Sequence, residues 1–155
     1  MAVSSVECLG STVDPSTFTG GYWVYVEGPD HLRSQPTLGK WLIFRKRSEL
    51  DKTWHMVRQC VTSGELGAVA AKSSTALDNP NAWSKDTGVI CVYTTEDDVD
   101  LVGLKLVHML KHDIRYKTDE ATYSGMYANR GVQKTTCKTI YWNDGNPSFT
   151  KCRKA

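Results

Sequence analysis

The residues of this sequence with the clearest chemical potential are lysines that lie in segments of strand-like composition. Lys72 interrupts the small-residue segment 68–75 and is followed by three hydroxyl residues. A lysine on an inward-facing strand position loses hydration, which lowers the pKa of the amine and lets it act as a base or a nucleophile. The alternative is a lysine at the sheet edge whose ammonium reaches water along its apolar stem. The pattern leaves both interpretations open.

A second lysine, Lys117, lies in a segment rich in hydrogen-bonding side chains. Residues 115–127, RYKTDEATYSGMY, contain three tyrosines, several hydroxyl and charged residues, and a glycine. Lysine, tyrosine and hydroxyl donors that converge on one point are what a phosphate-binding pocket needs. We predict that Lys117 and Tyr123 line such a pocket and that Asp119 orients Lys117. A well-hydrogen-bonded hairpin is the alternative explanation of the same residues.

The histidines and cysteines indicate no metal or other cofactor. His108 and His112 have the spacing with which two imidazoles share a metal, but they lie off the apolar stripe of their predicted helix. The five cysteines are an odd number without a C-x-x-C pair, which favours a reducing compartment over a disulfide framework or a zinc site. The sequence contains no G-x-S-x-G, phosphate-binding P-loop or G-x-G-x-x-G motif.

Composition places the chain among soluble globular proteins. Its 155 residues suit one domain, and the net charge of +2 argues against strong non-specific binding to nucleic acid. No apolar run is long enough to span a membrane, and the first ten residues do not resemble a secretory leader. We therefore expect a cytoplasmic protein, with a nuclear share left open and no membrane partner. The oligomeric state is not predicted.

The order of predicted elements is β-β-α-β-β-α-β-β. The strands are predicted at residues 22–26, 40–44, 68–75, 89–93, 114–117 and 138–142. Ser48 and Thr95 are the predicted N-caps of the two helices, and Gly64 and His112 mark their ends. This order predicts an α+β fold, a curved and mostly antiparallel sheet with helices on one face. Residues 1–20 are predicted to form an N-terminal arm, residues 21–155 a single domain, and the tail from Asn143 an irregular segment.

Apolar periodicity predicts which side of each helix is buried. The predicted stripe of the first helix is Leu50, Trp54, Val57 and Val61, and that of the second is Val99, Val102, Leu106 and Met109. Trp41 and Trp54 are therefore predicted to lie in the core. Trp83 and Trp142 fall in or beside loops and are the freer candidates for stacking on a base.

Several of these segments together resemble a known family. They are GKWLI at residues 39–43, ELDKTW at 49–54, the strand with Lys72, VYTTE at 92–96, and YKTD at 116–119 followed by TY and GMY. They resemble the basophilic-leukaemia-expressed protein family, whose members are also called phosphothreonine lyase domain-containing proteins. The resemblance spans about residues 21–142. It implies the α+β fold of the cap-binding translation initiation factor 4E, although the tryptophan positions do not favour cap binding.

A weaker similarity is to the bacterial phosphothreonine lyases, in which a lysine removes a proton and a histidine protonates the leaving phosphate. By position, the resemblance implies Lys72 as the base and Lys40, Tyr93 and Lys117 around the phosphate. The position of the histidine is occupied by Leu42. Because a general acid contributes about 10² to 10⁴ in rate, this difference weighs against elimination.

The sequence therefore predicts a binding module with a phosphate-accepting pocket for a phosphopeptide or phosphoprotein, a nucleotide or an RNA phosphate. Two alternatives remain open. The first is a phosphothreonine lyase-like carbon–oxygen lyase with Lys72 as its base. The second is an RNA-associated protein that uses the basic segments RKR at residues 45–47 and KCRK at 151–154. The predicted pocket residues are Lys40, Lys72, Tyr93, Lys117, Asp119 and Tyr123.

Overall fold

An antiparallel sheet forms the frame of the chain in the computed structural model, which describes residues 13–77, 86–118, 138–143 and 147–151. Seven strands lie within these residues: β1 Trp23–Glu27, β2 Thr37–Lys46, β3 Ala70–Ser74, β4 Thr87–Thr95, β5 Ile114–Thr118, β6 Lys138–Tyr141 and β7 Ser148–Lys151. The helices are α1 Asp30–Arg33, α2 Arg47–Ser63 and α3 Val99–Leu110, with 3₁₀ helices at Pro15–Thr17 and Glu96–Asp98. The strand order is β1-β3-β4-β2-β5-β6-β7.

The predicted fold class is confirmed. Each pair of neighbouring strands is antiparallel, and the two longest strands, β2 and β4, lie beside each other near the middle of an open, curved sheet. Alternate residues of both strands, such as Trp41 and Ile43 on β2 and Ile90 and Val92 on β4, are fully buried on the face that the helices cover. The predicted likeness to initiation factor 4E stays a prediction.

Both long helices pack on the same face of the sheet. The predicted stripe of α2 is buried as expected, whereas in α3 Val102 and Leu106 are buried and Val99 and Met109 are partly exposed. From the sheet, alternate residues such as Val24, Trp41, Ile90 and Ile140 complete this core. Trp41 and Trp54 are both core residues, as predicted. None of the helices in the described ranges combines the length and hydrophobicity needed to span a membrane.

The helix starts differ from the predictions. α2 begins at Arg47, and Ser48 is exposed instead of serving as its cap. Arg47 fixes the start in another way, because its backbone N–H donates to Asp86 O at 2.9 Å and its guanidinium to Thr75 O at 2.9 Å. The residues after Thr95 form a 3₁₀ helix before α3 begins at Val99. The end of α2 is as predicted, since Gly64 has a left-handed φ of 84°.

The prediction of an irregular tail is wrong for residues 148–151. These residues form β7, which pairs with β6 from Lys138↔Lys151 to Tyr141↔Ser148. Three of the four residues of β7 are polar, so the local pattern lacked the apolar alternation that indicates a strand. The strand exists because β6 offers its free edge, which is a non-local cause.

The N-terminal segment from residue 13 onward docks on α2. Ser16 donates hydrogen bonds to the carboxylate of Asp51 from its backbone N–H at 2.8 Å and from its hydroxyl at 2.5 Å. Nearby, His55 Nε2 lies 2.7 Å from Asp14 Oδ1. Phe18 also packs against the core. Residues 13–18 of the predicted N-terminal arm therefore lie against α2 and the core.

Asp51→Ala is expected to lower the free energy of unfolding by about 2 kcal/mol, since hydrogen bonds to charged groups are worth about 1.5–3 kcal/mol and this carboxylate accepts two. Urea denaturation measures the change. The same variant should release the arm, which limited proteolysis within residues 13–20 would detect. Lys52→Ala, at an exposed neighbouring position, is the control and should alter neither measurement. Equal proteolysis of the two variants would contradict the docking role of Asp51.

Candidate anion-binding site

The predicted pocket lysines lie on the face of the sheet that the helices do not cover, here called the open face. Strand register places them there: Lys40 of β2 pairs with Tyr93 on one side and with Lys117 on the other. Lys72 of β3 pairs with Cys91, which is two residues before Tyr93 on β4. Directly paired residues share a face, and so do residues two apart on one strand. Four predicted pocket residues are therefore brought together.

The three lysines, Lys40, Lys72 and Lys117, form what we call the lysine cluster. The Nζ atom of Lys40 lies 5.8 Å from the centroid of the Tyr93 ring, and that of Lys72 lies 6.0 Å from the same centroid. Lys117 is the direct cross-strand neighbour of Lys40, a relation that places two Cβ atoms about 4.5–5.5 Å apart. The cluster therefore concentrates positive charge around Tyr93.

Two members of the lysine cluster are buried. Lys40 is 9% exposed and Lys117 is 6% exposed, which is unusual for residues that are almost never fully buried in proteins. Lys72 is half-buried, and its Nζ lies 3.9 Å from the centroid of the Trp23 ring. This cation–π contact favours the charged ammonium form of Lys72.

All three lysines influence the pKa of one buried residue, Cys91. Burial raises the pKa of the Cys91 thiol, and the charges of Lys72, Lys40 and Lys117 oppose that rise. In the other direction, burial and then the neighbouring Lys40 lower the pKa of Lys117, and Cys91 partly offsets this effect. Burial and the proximity of Cys91 also raise the pKa of Tyr25, the partner of Lys72 on β1. The charges of all three lysines thus act on one buried thiol.

A cavity of about 320 Å³ lies along the same strands, two residues beyond Lys40 and Lys117. Its walls are formed by Leu42, Phe44, Thr87, His112, Asp113 and Arg115. Leu42 and Arg115 are a cross-strand pair, as Lys40 and Lys117 are. The cavity is therefore mixed in character, with apolar side chains from β2 and a guanidinium from β5. It could receive the part of a ligand next to an anionic group.

Sequence reasoning missed two residues of the site and could not place two others. Trp23 and Cys91 were not proposed, yet the ring of Trp23 lies against the ammonium of Lys72, and Cys91 is paired with Lys72 and feels the charges of all three lysines. The alternation of aromatic and valine residues along β1 was the available signal for Trp23. Asp119 and Tyr123 lie outside the described residues, and so does Trp83.

The remaining candidates make structural contacts. The rings of His108 and Trp142 meet edge to face with centroids 5.7 Å apart, and His112 Nδ1 lies 2.7 Å from Asp113 O. Within the described parts of the chain, no three His, Cys, Asp or Glu side chains come close enough to hold a metal ion. Arg45 donates from Nε to Thr53 Oγ1 at 3.0 Å, and Arg47 bonds to Thr75 O, so two residues of the basic segment 45–47 serve the fold.

Comparison with known proteins assigns the chain to a family. No curated protein sequence matches the chain. The profile of the basophilic leukemia-expressed protein Bles03 family matches residues 32–125, which is more than half of the chain. The matched region contains the whole lysine cluster together with Cys91 and Tyr93. The chain belongs to the basophilic leukemia-expressed protein Bles03 family.

Proposed function

We propose that this protein is a binding module that holds a phosphate group of its ligand in the lysine cluster. The observation that carries the proposal is the convergence of three lysines on the open face, two of them buried. Like charges in a poorly hydrated place repel each other, and a dianion that enters among them relieves this repulsion. A phosphate monoester carries about −1.5 to −2 charge near neutral pH, which suits such a site.

The number and type of donors also favour phosphate over a carboxylate. An ammonium group offers three N–H donors, and a terminal phosphate offers three acceptor oxygens that different lysines can share. The centroid of the Tyr93 ring lies 5.8 and 6.0 Å from two of the amines, so an anion bound by either amine would lie near this ring. The neighbouring cavity with Leu42, Phe44 and Arg115 would then receive the group that carries the phosphate.

The two alternatives derived from the sequence stay predictions, and the geometry favours neither. For a lyase, the ring of Trp23 beside Lys72 favours an ammonium over the neutral amine that a base requires. Leu42, at the position implied for the acid, has no proton to donate. For RNA binding, Arg45 and Arg47 are engaged within the protein, the side chain of Lys151 is not described, and residues 152–154 lie outside the described residues.

The direct test is calorimetric titration with inorganic phosphate, a phosphothreonine peptide and a nucleoside monophosphate. Lys40→Met and Lys72→Met are each expected to weaken phosphate binding by about tenfold or more, because a charge-assisted hydrogen bond contributes about 1.5–3 kcal/mol. Lys117→Met should weaken it less, because burial and Lys40 lower the pKa of Lys117 and so reduce its positive charge. Methionine keeps the length of the apolar stem and removes the charge. Lys52→Met, on an exposed position of α2, is the matched control and should bind as the wild type does.

The unphosphorylated peptide and the nucleoside serve as ligand controls and should not bind. Among the phosphorylated ligands, the one that binds tighter than inorganic phosphate identifies the class of group that the cavity accepts. The absence of heat and of thermal stabilisation with all three phosphate compounds would refute the proposal. So would binding that the three cluster variants leave unchanged.

A further inference from the structure

Lys117 differs from the other two members of the lysine cluster in the way its amine is surrounded. It is the most buried of them at 6% exposed, and its direct cross-strand neighbour is the buried Lys40. Lys72, in contrast, is half-buried and has the face of Trp23 against its ammonium at 3.9 Å. Aromatic contact favours the charged form, whereas burial beside another ammonium favours the neutral form. The three lysines are therefore suited to different tasks.

A neutral amine beside a cationic amine is the arrangement that makes a lysine nucleophilic. Desolvation and a neighbouring ammonium are two ways by which a lysine becomes able to attack a carbonyl carbon near neutral pH. Both act on Lys117, whose pKa is lowered first by burial and then by Lys40. Cys91 acts in the opposite direction but is the smallest of the three influences.

We propose that Lys117 forms an imine with an aldehyde or ketone group of a phosphorylated ligand. The lone pair of Nζ attacks the carbonyl carbon, and the carbonyl oxygen leaves as water with the two protons of the amine. One C=N bond replaces the C=O bond, and no electrons are gained or lost. The inference rests on the proposed phosphate site, because Lys40 and Lys72 would hold the phosphate while Lys117 reacts.

The geometry of the open face supports this division of tasks. Lys40 and Lys72 both reach the ring of Tyr93, at 5.8 and 6.0 Å from its centroid, whereas Lys117 lies on the far side of Lys40, on β5. A phosphate held by Lys40 and Lys72 would leave the rest of a small ligand to extend toward Lys117. Beyond Lys117 the cavity with Leu42 and Arg115 gives such a ligand further space.

Reductive trapping with a matched pair of aldehydes tests the proposal. The wild-type protein is incubated with glyceraldehyde 3-phosphate or with glyceraldehyde in the presence of cyanoborohydride, and the modified lysines are located by peptide mass spectrometry. We expect the phosphorylated aldehyde to modify Lys117 about tenfold faster than it modifies the exposed Lys52 and Lys111. Glyceraldehyde should modify Lys117 more slowly than its phosphate does. Inorganic phosphate should protect Lys117 from the phosphorylated aldehyde.

Two variants and one comparison separate the possible outcomes. Lys117→Arg should abolish the trapped product at this position while phosphate still binds, and Lys111→Arg is the control that should leave trapping at Lys117 unchanged. If the aldehyde modifies the exposed lysines as readily as Lys117, the imine proposal is contradicted. The proposed phosphate site still stands in that case, provided that calorimetry shows phosphate binding that depends on the lysine cluster. Equal trapping at Lys117 by both aldehydes, without protection by phosphate, would support the nucleophile and contradict the phosphate site. Because the wild type alone reports the position, the test does not depend on the folding of a variant.

Discussion

Gly103→Val is expected to lower the free energy of unfolding by about 3 kcal/mol, the upper part of the usual range for overpacked cores. Gly103 lies on the side of α3 that faces the sheet, and a Cβ atom there would lie 2.4 Å from Trp41 Cζ2 and 2.7 Å from Ile140 Cδ1. Trp41 cannot move aside easily. It is fully buried, its Nε1 donates to Val99 O at 2.8 Å, and its ring meets that of Tyr116 edge to face.

A matched variant separates this contact from the cost of a β-branched residue in a helix. Leu101→Val changes a position of α3 that is 53% exposed, so it should alter stability by about 0.5 kcal/mol or less. Gly103→Ala should fall between the two, because alanine favours the helix by up to about 1 kcal/mol but still brings a Cβ atom against Trp41. Urea denaturation at one pH gives all three values. Equal free energies of unfolding for Gly103→Val and Leu101→Val would contradict the close contact between Gly103 of α3 and Trp41 of β2.

The core that this close approach creates also positions the lysine cluster. Trp41 follows Lys40 on β2, so the two side chains lie on opposite faces of the same strand. When Trp41 is fixed against α3, Lys40 is fixed on the open face opposite Tyr93 and Lys117. The buried face thus sets the position of charges that lie on the opposite face of the sheet.

The parts of the fold that local patterns control could be predicted from the sequence. The stripe of α2 repeats at helical spacing, and Gly64 marks its end by a conformation that other residues rarely adopt. The start of α2 was missed because it depends on contacts of Arg47 with residues 28 and 39 positions away along the chain. β7 was missed for the same kind of reason, since pairing with β6 and not its own composition makes it a strand.

In the candidate site, too, some features depend on local sequence and others on contacts between distant residues. That Lys72 and Lys117 are unusual could be seen from their neighbours in the sequence, but their common location depends on the strand order β3-β4-β2-β5. This order places residues of four strands side by side, although their positions in the sequence range from 40 to 117. Trp23 was missed because it reaches Lys72 through the pairing of β1 with β3, two strands that are far apart in the sequence. The sequence therefore indicates which lysines are unusual, but the strand pairing that brings them together could not be predicted from it.

Cys91 is expected to make the protein lose stability as the pH rises above about 9, and Cys91→Ala is expected to remove that contribution. The Cys91 thiol ordinarily has a pKa of 9.0, and burial raises the pKa in the folded protein. Between the two values the folded state keeps a proton that the unfolded state has lost, so the free energy of unfolding decreases with pH. A full difference of one proton corresponds to about 1.4 kcal/mol per pH unit.

Three other groups titrate in the same range, and their signs differ. Burial also raises the pKa of the Cys60 thiol above its ordinary 9.0, but Cys60 is less buried than Cys91 and should contribute less. Burial raises the pKa of Tyr25 above its ordinary 10.0, so Tyr25 adds to the loss of stability from about pH 10 upward. The pKa of Lys117 is lowered below 10.5, so the unfolded state binds the extra proton and stability rises with pH up to that value. Between pH 9 and 10, the change in the free energy of unfolding is therefore mainly the loss due to Cys91 minus the gain due to Lys117.

Urea denaturation of the wild type and Cys91→Ala at pH 7.5 and at pH 10 measures the effect, and the change between the two pH values cancels the cost of the cavity that alanine leaves. We expect the wild type to lose about 1 kcal/mol more than Cys91→Ala over this interval. Lys72→Met should steepen the loss, because Lys72 is the largest of the three charges that favour the thiolate. Cys60→Ala is the control at a less buried thiol, whose raised pKa should contribute less. Equal pH dependence in the wild type and Cys91→Ala would contradict the raised pKa of the Cys91 thiol, and an unchanged loss in Lys72→Met would contradict the influence of Lys72 on that thiol.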